Sequence, residues 1–557
     1  MTNGSTILET RAPVTATMMR VPLSTNALLD RAGTYFPERG IVARLPDKSL
    51  VRSTYGELRD RARRLARALR EDAGIGRGEP VATLMWNNVA HMECYFGIPA
   101  AGAVLHTLNL RLSPEDIAYI MNDADDRILI VDDVLVPVWE RVKPLLARQP
   151  RVIVHRYGGD AIDAGYELYD DFIAGDASTY AYPEQDENEP MGMCYTSGTT
   201  GRPKGVVYSH RSMVLHSLTE CMPDIIGLSV HDTVGVVVPM FHANAWAVPY
   251  AAVMVGANVV LPGPHVGGED LLDLMESEQI TLALGVPTIW LMILQGLEHP
   301  TRARTFAPGM RMLVGGAAAP VSLIAAFEKY DMHVIQGWGM TETSPLGSLG
   351  TLKPEHKSLP LERQCEIRAM QGLAPPLVEM RIVNDDDGTV QPWDGTSRGE
   401  IQVHGPWITG DYHNTPHDPE KFSEDGWLRT GDVGVIDAAG YLRIVDRTKD
   451  LIKSGGEWIS SVDLENAVMG HPAVAEAAVI AIWHAKYTER PLAVIVKKPG
   501  HEITAEDIRT FLLPHFAKWQ IPDDYAFVDV LPRTSTGKFL KTELRERFKT
   551  GVSLTPS

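Results

Sequence analysis

The chain has 557 residues and 61.2 kDa, room for three or four domains at about 150 residues each, or fewer if one is large. Lys and Arg number 52 against 71 Asp and Glu, a formal net charge of −19 that argues against nucleic acid and anionic lipid as bulk partners. The 44% hydrophobic and 22% charged residues describe an ordinary globular protein, and four cysteines without CxxC spacing suit a reducing, cytosolic compartment.

The first thirty residues carry Glu9, Arg11, Arg20 and two prolines with no unbroken apolar core, so no signal peptide is expected. Between Asp60 and Asp72, Ala62, Leu65, Ala66 and Leu69 fall at helical spacing and predict an amphipathic helix. Runs rich in β-branched residues at 81–86, 127–133 and 151–156 predict strands, and the alternation with helical material is that of an α/β protein. The pattern continues with strands expected at 234–240, 257–261, 281–286 and 312–314. The longest apolar stretch, Ala243 to Leu261, is broken by Asn244, Pro249, Gly256 and Asn258, which predicts a buried helix and strand rather than a membrane span. Up to about residue 440 the chain therefore reads as one large α/β body built on more than one sheet.

After Tyr441 the texture changes. YLRIVDRTKDLIKSGGEW mixes basic and acidic residues around a Gly-Gly pair and opens a helix at Ser461, which reads as a hinge followed by a small α+β module. Its strands are expected at 473–483 and 491–498, and Lys541 and Lys549 read as solvated lysines of a basic tail.

The segment Tyr195-Thr-Ser-Gly-Thr-Thr-Gly-Arg-Pro-Lys-Gly205 places four Ser and Thr hydroxyls and three glycines within eleven residues. Exposed N–H and O–H donors with a lysine point charge suit a polyphosphate. This is not the G-x-x-x-x-G-K-[ST] loop, because Pro203 precedes Lys204 and glycine follows it.

That string resembles the phosphate loop of the adenylate-forming superfamily of acyl-CoA synthetases, luciferases and adenylation domains. PMFHANAW (239–246), QGWGMTET (336–343), WLRTGD (427–432), DRTKDLIKSGGEW (446–458) and PRTSTGK (532–538) follow in the family's order. FHANAW, GPWITGDY and the stretch after Ser454 resemble the fatty acyl branch.

The resemblance implies a large N-terminal domain, 1–446, of two α/β sheets plus a small β-barrel-like part, and a small mobile α+β C-terminal domain, 447–557, with a hinge near 446–451. It implies that ATP and Mg²⁺ activate a medium- to long-chain fatty acid as acyl-AMP and that CoA takes the acyl group. The alternatives are a short sulfur-containing or cinnamate-like acid, or a carrier protein as acceptor. A homodimer is expected, as in the fatty acyl relatives.

Carried over by motif, Lys538 is the catalytic lysine between carboxylate and α-phosphate, and Thr341 touches that phosphate. Glu342 and Thr196 hold Mg²⁺. Thr196, Ser197, Gly198, Thr199, Thr200, Gly201 and Lys204 cradle the phosphates. Gly316, Gln336, Gly337 and Trp338 line the nucleotide, with Ala243, Trp246 and Lys449 also at the ATP site, the last at the hinge. Asp432 takes the ribose hydroxyls beside Arg447, while Lys453 and Trp458 stand on the adenine side. Gly455, Gly456 and Trp458 face CoA. His242 borders the acyl carboxylate, Trp246 gates the acyl tunnel, and Val238, Gly315, Ala317, Ala318 and Trp338 form its wall.

Overall fold

The computed structural model describes residues 15–159, 165–196, 202–384, 387–447, 449–454, 457–533 and 539–549. Seven strands form a first sheet in the order Glu167–Leu168, Arg151–His155, Ile128–Asp132, Pro80–Leu84, Val104–Thr107, Pro190–Tyr195, Gly205–Ser209, parallel except for the last pair. A second sheet of eight runs Leu346–Leu349, Met332–Gly339, Met310–Val314, Leu282–Gly285, Thr233–Val236, Asn258–Leu261, Gly40–Arg44, Leu50–Thr54, parallel inside and antiparallel at both edges. Each expected strand lies within three residues of an observed one at its start, and several are shorter at the end.

One apolar cluster takes side chains from both sheets and from the helices Thr25–Tyr35, Tyr55–Arg67, Val89–Ala100 and Val248–Val255. Tyr55–Arg67 starts earlier than the sequence suggests because Thr54 and Glu57 close a capping box, and it turns into a π-helical segment at Ala68–Asp72. Helix Val89–Ala100 is buried on every side, so its polar groups need internal partners. His91 lies between Thr83 Oγ1 and the Trp86 carbonyl, each at 3.0 Å, and Glu93 is held by Arg61 at 2.6 Å and Tyr169 at 2.9 Å. The two helices meet where a Cβ on Gly97 would stand 2.7 Å from the Ala62 carbonyl, so only glycine permits the approach. The Ala243 to Leu261 stretch resolves into Val248–Val255 and Asn258–Leu261, nearly all buried, and no helix among the described residues is long and apolar enough to cross a membrane.

A four-stranded antiparallel sheet, Glu379–Val383, Gly399–His404, Leu428–Ile436 and Leu442–Arg447, stands where the barrel-like part is expected. The next strand opens at Ile452, in a separate five-stranded sheet with its own apolar clusters. Lys541 corrects the sequence reading: it is not a solvated lysine. Its Nζ stands 2.7 Å from Glu465 and 2.6 Å from Ser461 Oγ, and its side chain is 12% exposed. Desolvation alone would depress this ammonium, but Glu465, Asp446 and Asp450 outweigh it and hold the group above the ordinary lysine range. Arg545 pairs with Asp450, and the Ser461 N–H donates to Asp446 at 2.6 Å. The start of the last sheet is thereby tied to the strand that precedes it.

Candidate functional site

Open α/β sheets bind ligands beyond the carboxyl ends of their strands. Both large sheets direct such ends at one cavity of about 790 Å³: Thr196 follows Pro190–Tyr195, Gly315 follows Met310–Val314, and Gly339 ends Met332–Gly339.

On the phosphate side, the loop expected to hold phosphates is closed at its base. Thr196 N–H donates to the Lys204 carbonyl at 3.0 Å, and Lys204 N–H to Thr196 Oγ1 at 3.1 Å. Ser197, Gly198, Thr199, Thr200 and Gly201 lie outside the described residues. Lys204 Nζ stands 3.3 Å from Asp418 and 4.7 Å from the centre of the Tyr412 ring. Partial desolvation acts to raise the Asp418 carboxyl, but the Glu420 backbone N–H and Lys204 together hold it below the usual carboxylate range.

Glu342 is buried in the 3-10 turn Thr341–Thr343. Its Oε1 accepts from the Tyr412 hydroxyl at 2.8 Å, its carbonyl from Thr409 N–H at 2.8 Å, and the Thr341 carbonyl from the Tyr208 hydroxyl at 2.9 Å. Lys421, Arg447 and Lys449 also line the cavity. Desolvation first, then repulsion from Arg447, holds the Lys449 ammonium below its ordinary range. This concentration of cations in a chain of net charge −19 is a local anion site.

Asp432 and Arg447 are cross-strand partners, with Arg447 Nε 3.5 Å from Asp432 Oδ1. The other carboxylate oxygen accepts from the Trp338 indole at 2.8 Å. Trp338 is wedged against Gly347, where a Cβ would come within 2.5 Å of the ring.

On the apolar side, Ala243, Asn244, Ala245, Trp246 and Ala247 all have φ between 43° and 62°, a left-handed turn without glycine. Such backbone costs roughly 1–2 kcal/mol per residue, so the surroundings must impose it. Cys194 Sγ donates to Asn244 Oδ1 at 2.8 Å, and the N–H groups of Ala245 and Ala247 reach the carbonyls of His242 and Asn244, each at 3.0 Å. The turn aims Trp246 at Gly315, whose Cβ position would lie 2.9 Å from the indole.

The cavity is thus lined by Thr196, Lys204, His242, Ala243, Trp246, Gly315, Gly316, Gly337, Trp338, Thr341, Glu342, Asp432, Arg447 and Lys449 among the expected residues. Six others among the described residues are not on its wall. Val238 is packed inside, its carbonyl accepting from Asn87 at 2.9 Å. Gln336 turns back to brace the 315–319 loop, accepting from Ala319 N–H at 2.8 Å and donating to the Ala317 carbonyl at 3.2 Å. Ala317 is exposed and Ala318 half-buried on the outer side of that loop. Lys453 and Trp458 stack at 4.9 Å on an exposed hairpin away from the cavity, and Gly455, Gly456 and Lys538 lie outside the described residues. The sequence reading missed Tyr412, although it ends the quoted GPWITGDY, and also Asp418, Lys421, Tyr208 and the cavity-lining Glu220, which fall in no quoted motif.

The family described as AMP-binding enzyme matches residues 29–413, and its C-terminal domain matches 463–538. A long-chain-fatty-acid–CoA ligase from Thermus thermophilus is 48% identical, covering 96% of this chain and 97% of its own. A 3-methylmercaptopropionyl-CoA ligase from Ruegeria pomeroyi is 45% identical, covering 96% and 98%. The crystal structure of ATP-bound MatB from Rhodopseudomonas palustris superposes with a TM-score of 0.78 at 25% identity, covering 94% of this chain and 99% of that one.

Proposed function

Because the chain belongs to the AMP-binding enzyme family, we propose that it is an ATP-dependent acid–thiol ligase that activates a medium- to long-chain fatty acid as acyl-AMP and transfers the acyl group to CoA. The carrying observation is one cavity with cations and a ribose-type carboxylate on one side and an apolar wall closed by Trp246 on the other. The Thermus relative supports a fatty acid. The Ruegeria relative supports the second reading, a short sulfur-containing acid.

In this reading the carboxylate lies beside His242 and attacks the α-phosphorus of ATP, and pyrophosphate leaves. Lys204 gives up Asp418 for the phosphates, Asp432 accepts from the ribose hydroxyls, and Thr341 meets the α-phosphate. These groups are placed before charge develops, which is where preorganised donors act most strongly. Lys538 is assigned the bridge between carboxylate and α-phosphate on its motif. The thiol then attacks the acyl carbon and AMP departs. No cluster of three acidic, His or Cys side chains able to cage a metal is found among the described residues, and the buried carboxylate on the phosphate side of the cavity, Glu342, has a single oxygen committed to Tyr412. That donor set fits Mg²⁺, which takes one or two carboxylates and otherwise phosphates and water. Glu342 and Thr196 would hold it, and the ion would neutralise charge on the departing pyrophosphate.

We assign residues 1–446 to adenylation and 447–557 to a C-terminal domain that presents Lys538 and then the CoA face, the change pivoting at Lys449. A cytoplasmic homodimer is part of the same proposal, and sedimentation of the purified chain tests the dimer. Acid-dependent ATP–pyrophosphate exchange that added CoA converts to net AMP release is the expected result for the activity. Exchange that CoA does not drain would favour a carrier-protein acceptor, and no exchange with saturated, sulfur-containing or cinnamate-like acids would refute the ligase reading.

A further inference from the structure

Helix His210–Glu220 begins directly after the strand Gly205–Ser209 that closes the phosphate loop. At about 1.5 Å per residue, eleven residues carry its far end about 16 Å away. That last residue, Glu220, is 2% exposed and lines the cavity, whose wall also includes Ile226, Leu284, Leu313 and Leu346. Glu220 Oε2 has no hydrogen-bond partner among the described residues, and none of their Lys or Arg side chains pairs with it. Burial pushes the carboxyl well above the usual carboxylate range, which favours its protonated, O–H-bearing form.

Behind it stands His216, fully buried. Its Nε2 accepts the Leu346 backbone N–H at 3.2 Å, which places the ring proton on Nδ1. Nδ1 also has no partner among the described residues, and it is 3.9 Å from Glu220 Oε1, beyond hydrogen-bond range. Two polar groups therefore face one another without bonding, beside an apolar cavity. Buried polar groups normally find partners, and one left unmade carries its full desolvation penalty. A plain hydrocarbon tail would have no use for either group, and an all-aliphatic wall would be more stable.

The geometry points to Glu220 as the recognition group for a neutral oxygen substituent, a hydroxyl or carbonyl, on the end of the acid remote from its carboxylate, with His216 Nδ1 behind it as a second polar group that has no partner among the described residues. The preferred substrate class is then a distally oxygenated carboxylic acid. This rests on reading the cavity as the acyl pocket. No bond is made or broken at Glu220, which acts in selection only. A site built to hydrogen-bond a substrate hydroxyl rejects the analogue lacking it far more strongly than an apolar pocket rejects an extra methylene.

The test compares ω-hydroxy acids of increasing length with alkanoates having the same number of heavy atoms, in the wild type, Glu220→Gln and Glu220→Leu. Two readouts are taken: calorimetric binding of the acid alone, and AMP release with ATP and CoA. At the chain length that reaches Glu220, the wild type should favour the hydroxy acid at least tenfold. Glu220→Gln, which still donates and accepts, should keep most of that preference. Glu220→Leu should reverse it and melt at a higher temperature than the wild type, which separates lost selection from lost folding. An unchanged ratio in Glu220→Leu at every length, or alkanoates preferred throughout by the wild type, overturns the assignment. Binding that follows Glu220 without AMP release from any acid would support the recognition role and count against the ligase reading alone.

Discussion

Replacing Trp338 by phenylalanine removes one hydrogen bond while keeping the aromatic face. The indole N–H donates to Asp432 Oδ2 at 2.8 Å, Arg447 stands 3.5 Å from the other oxygen, and the Asp432 side chain is 15% exposed. A hydrogen bond to a charged group nets about 1.5–3 kcal/mol. Arg447 continues to hold Oδ1, so the lower figure applies, and about 1.5 kcal/mol is close to a tenfold change. The loss falls on a carboxylate left free to rotate away from the ribose. Trp338→Phe should therefore raise the KM for ATP about tenfold and narrow the preference for ATP over 2′-deoxy-ATP by a similar factor. ATP–pyrophosphate exchange at saturating acid reads both. Trp338→Phe should add little on top of Asp432→Asn, because the indole acts through that carboxylate. Full additivity of the two substitutions, or a KM within twofold of the wild type for Trp338→Phe, would refute the coupling.

Gly315→Ala puts a methyl 2.9 Å from the Trp246 indole, an overpacking of about 1–3 kcal/mol. The indole should shift, and the chain-length profile with it; a profile identical to the wild type would separate Trp246 from the acyl wall. Tyr412→Phe strips Glu342 of its 2.8 Å donor. Loss of about 1 kcal/mol corresponds to roughly a fivefold rise in the magnesium needed for half-maximal exchange, read by titration against ATP. Lys541→Met leaves Glu465 buried beside Asp446 without its cation and should destabilise the last sheet by about 3–5 kcal/mol in urea unfolding, with Glu465→Leu in the same chain recovering much of it. Burial holds His91 and His210 down to about 4 and His216 to about 3, against an ordinary value of 6.5. Below pH 6.5 the unfolded chain binds protons that the folded chain refuses, so these groups make stability fall as pH drops from 6.5 towards 4. Urea midpoints measured across that range should decline with acidity, and Ala in place of each histidine should flatten the slope.

The α/β alternation was legible because parallel strands buried on both faces read as continuous apolar runs, as at Ile128–Asp132. Asp432, Glu342 and Lys204 were legible because a short string of sequence carries each one and its neighbours. Tyr412 and Asp418 were not, since they act on Glu342 and Lys204 across separations of 70 and 214 residues that no local pattern reports. Val238 misled because strand-end residues and wall residues look alike in sequence, while the side on which a side chain emerges is set by a bend after Val236. Lys541 looked like tail because its three acidic neighbours come from segments about 80 to 95 residues upstream. Glu220, an acid on a helix end, is indistinguishable in sequence from a solvated one.

The left-handed turn at 243–247 inverts the usual ranking of residues. In most of the chain a glycine in place of alanine loosens the fold, but where φ is positive glycine relieves strain instead. A sequence drifting under selection for stability alone would replace Ala243, Ala245 or Ala247 with glycine. Instead all three methyl groups are buried, those of Ala245 and Ala247 in the main apolar cluster and that of Ala243 at the cavity wall. Here the fold keeps strain as a form of precision, and substitutions chosen to make this protein hardier by consensus rules are the ones that would blur its choice of acid.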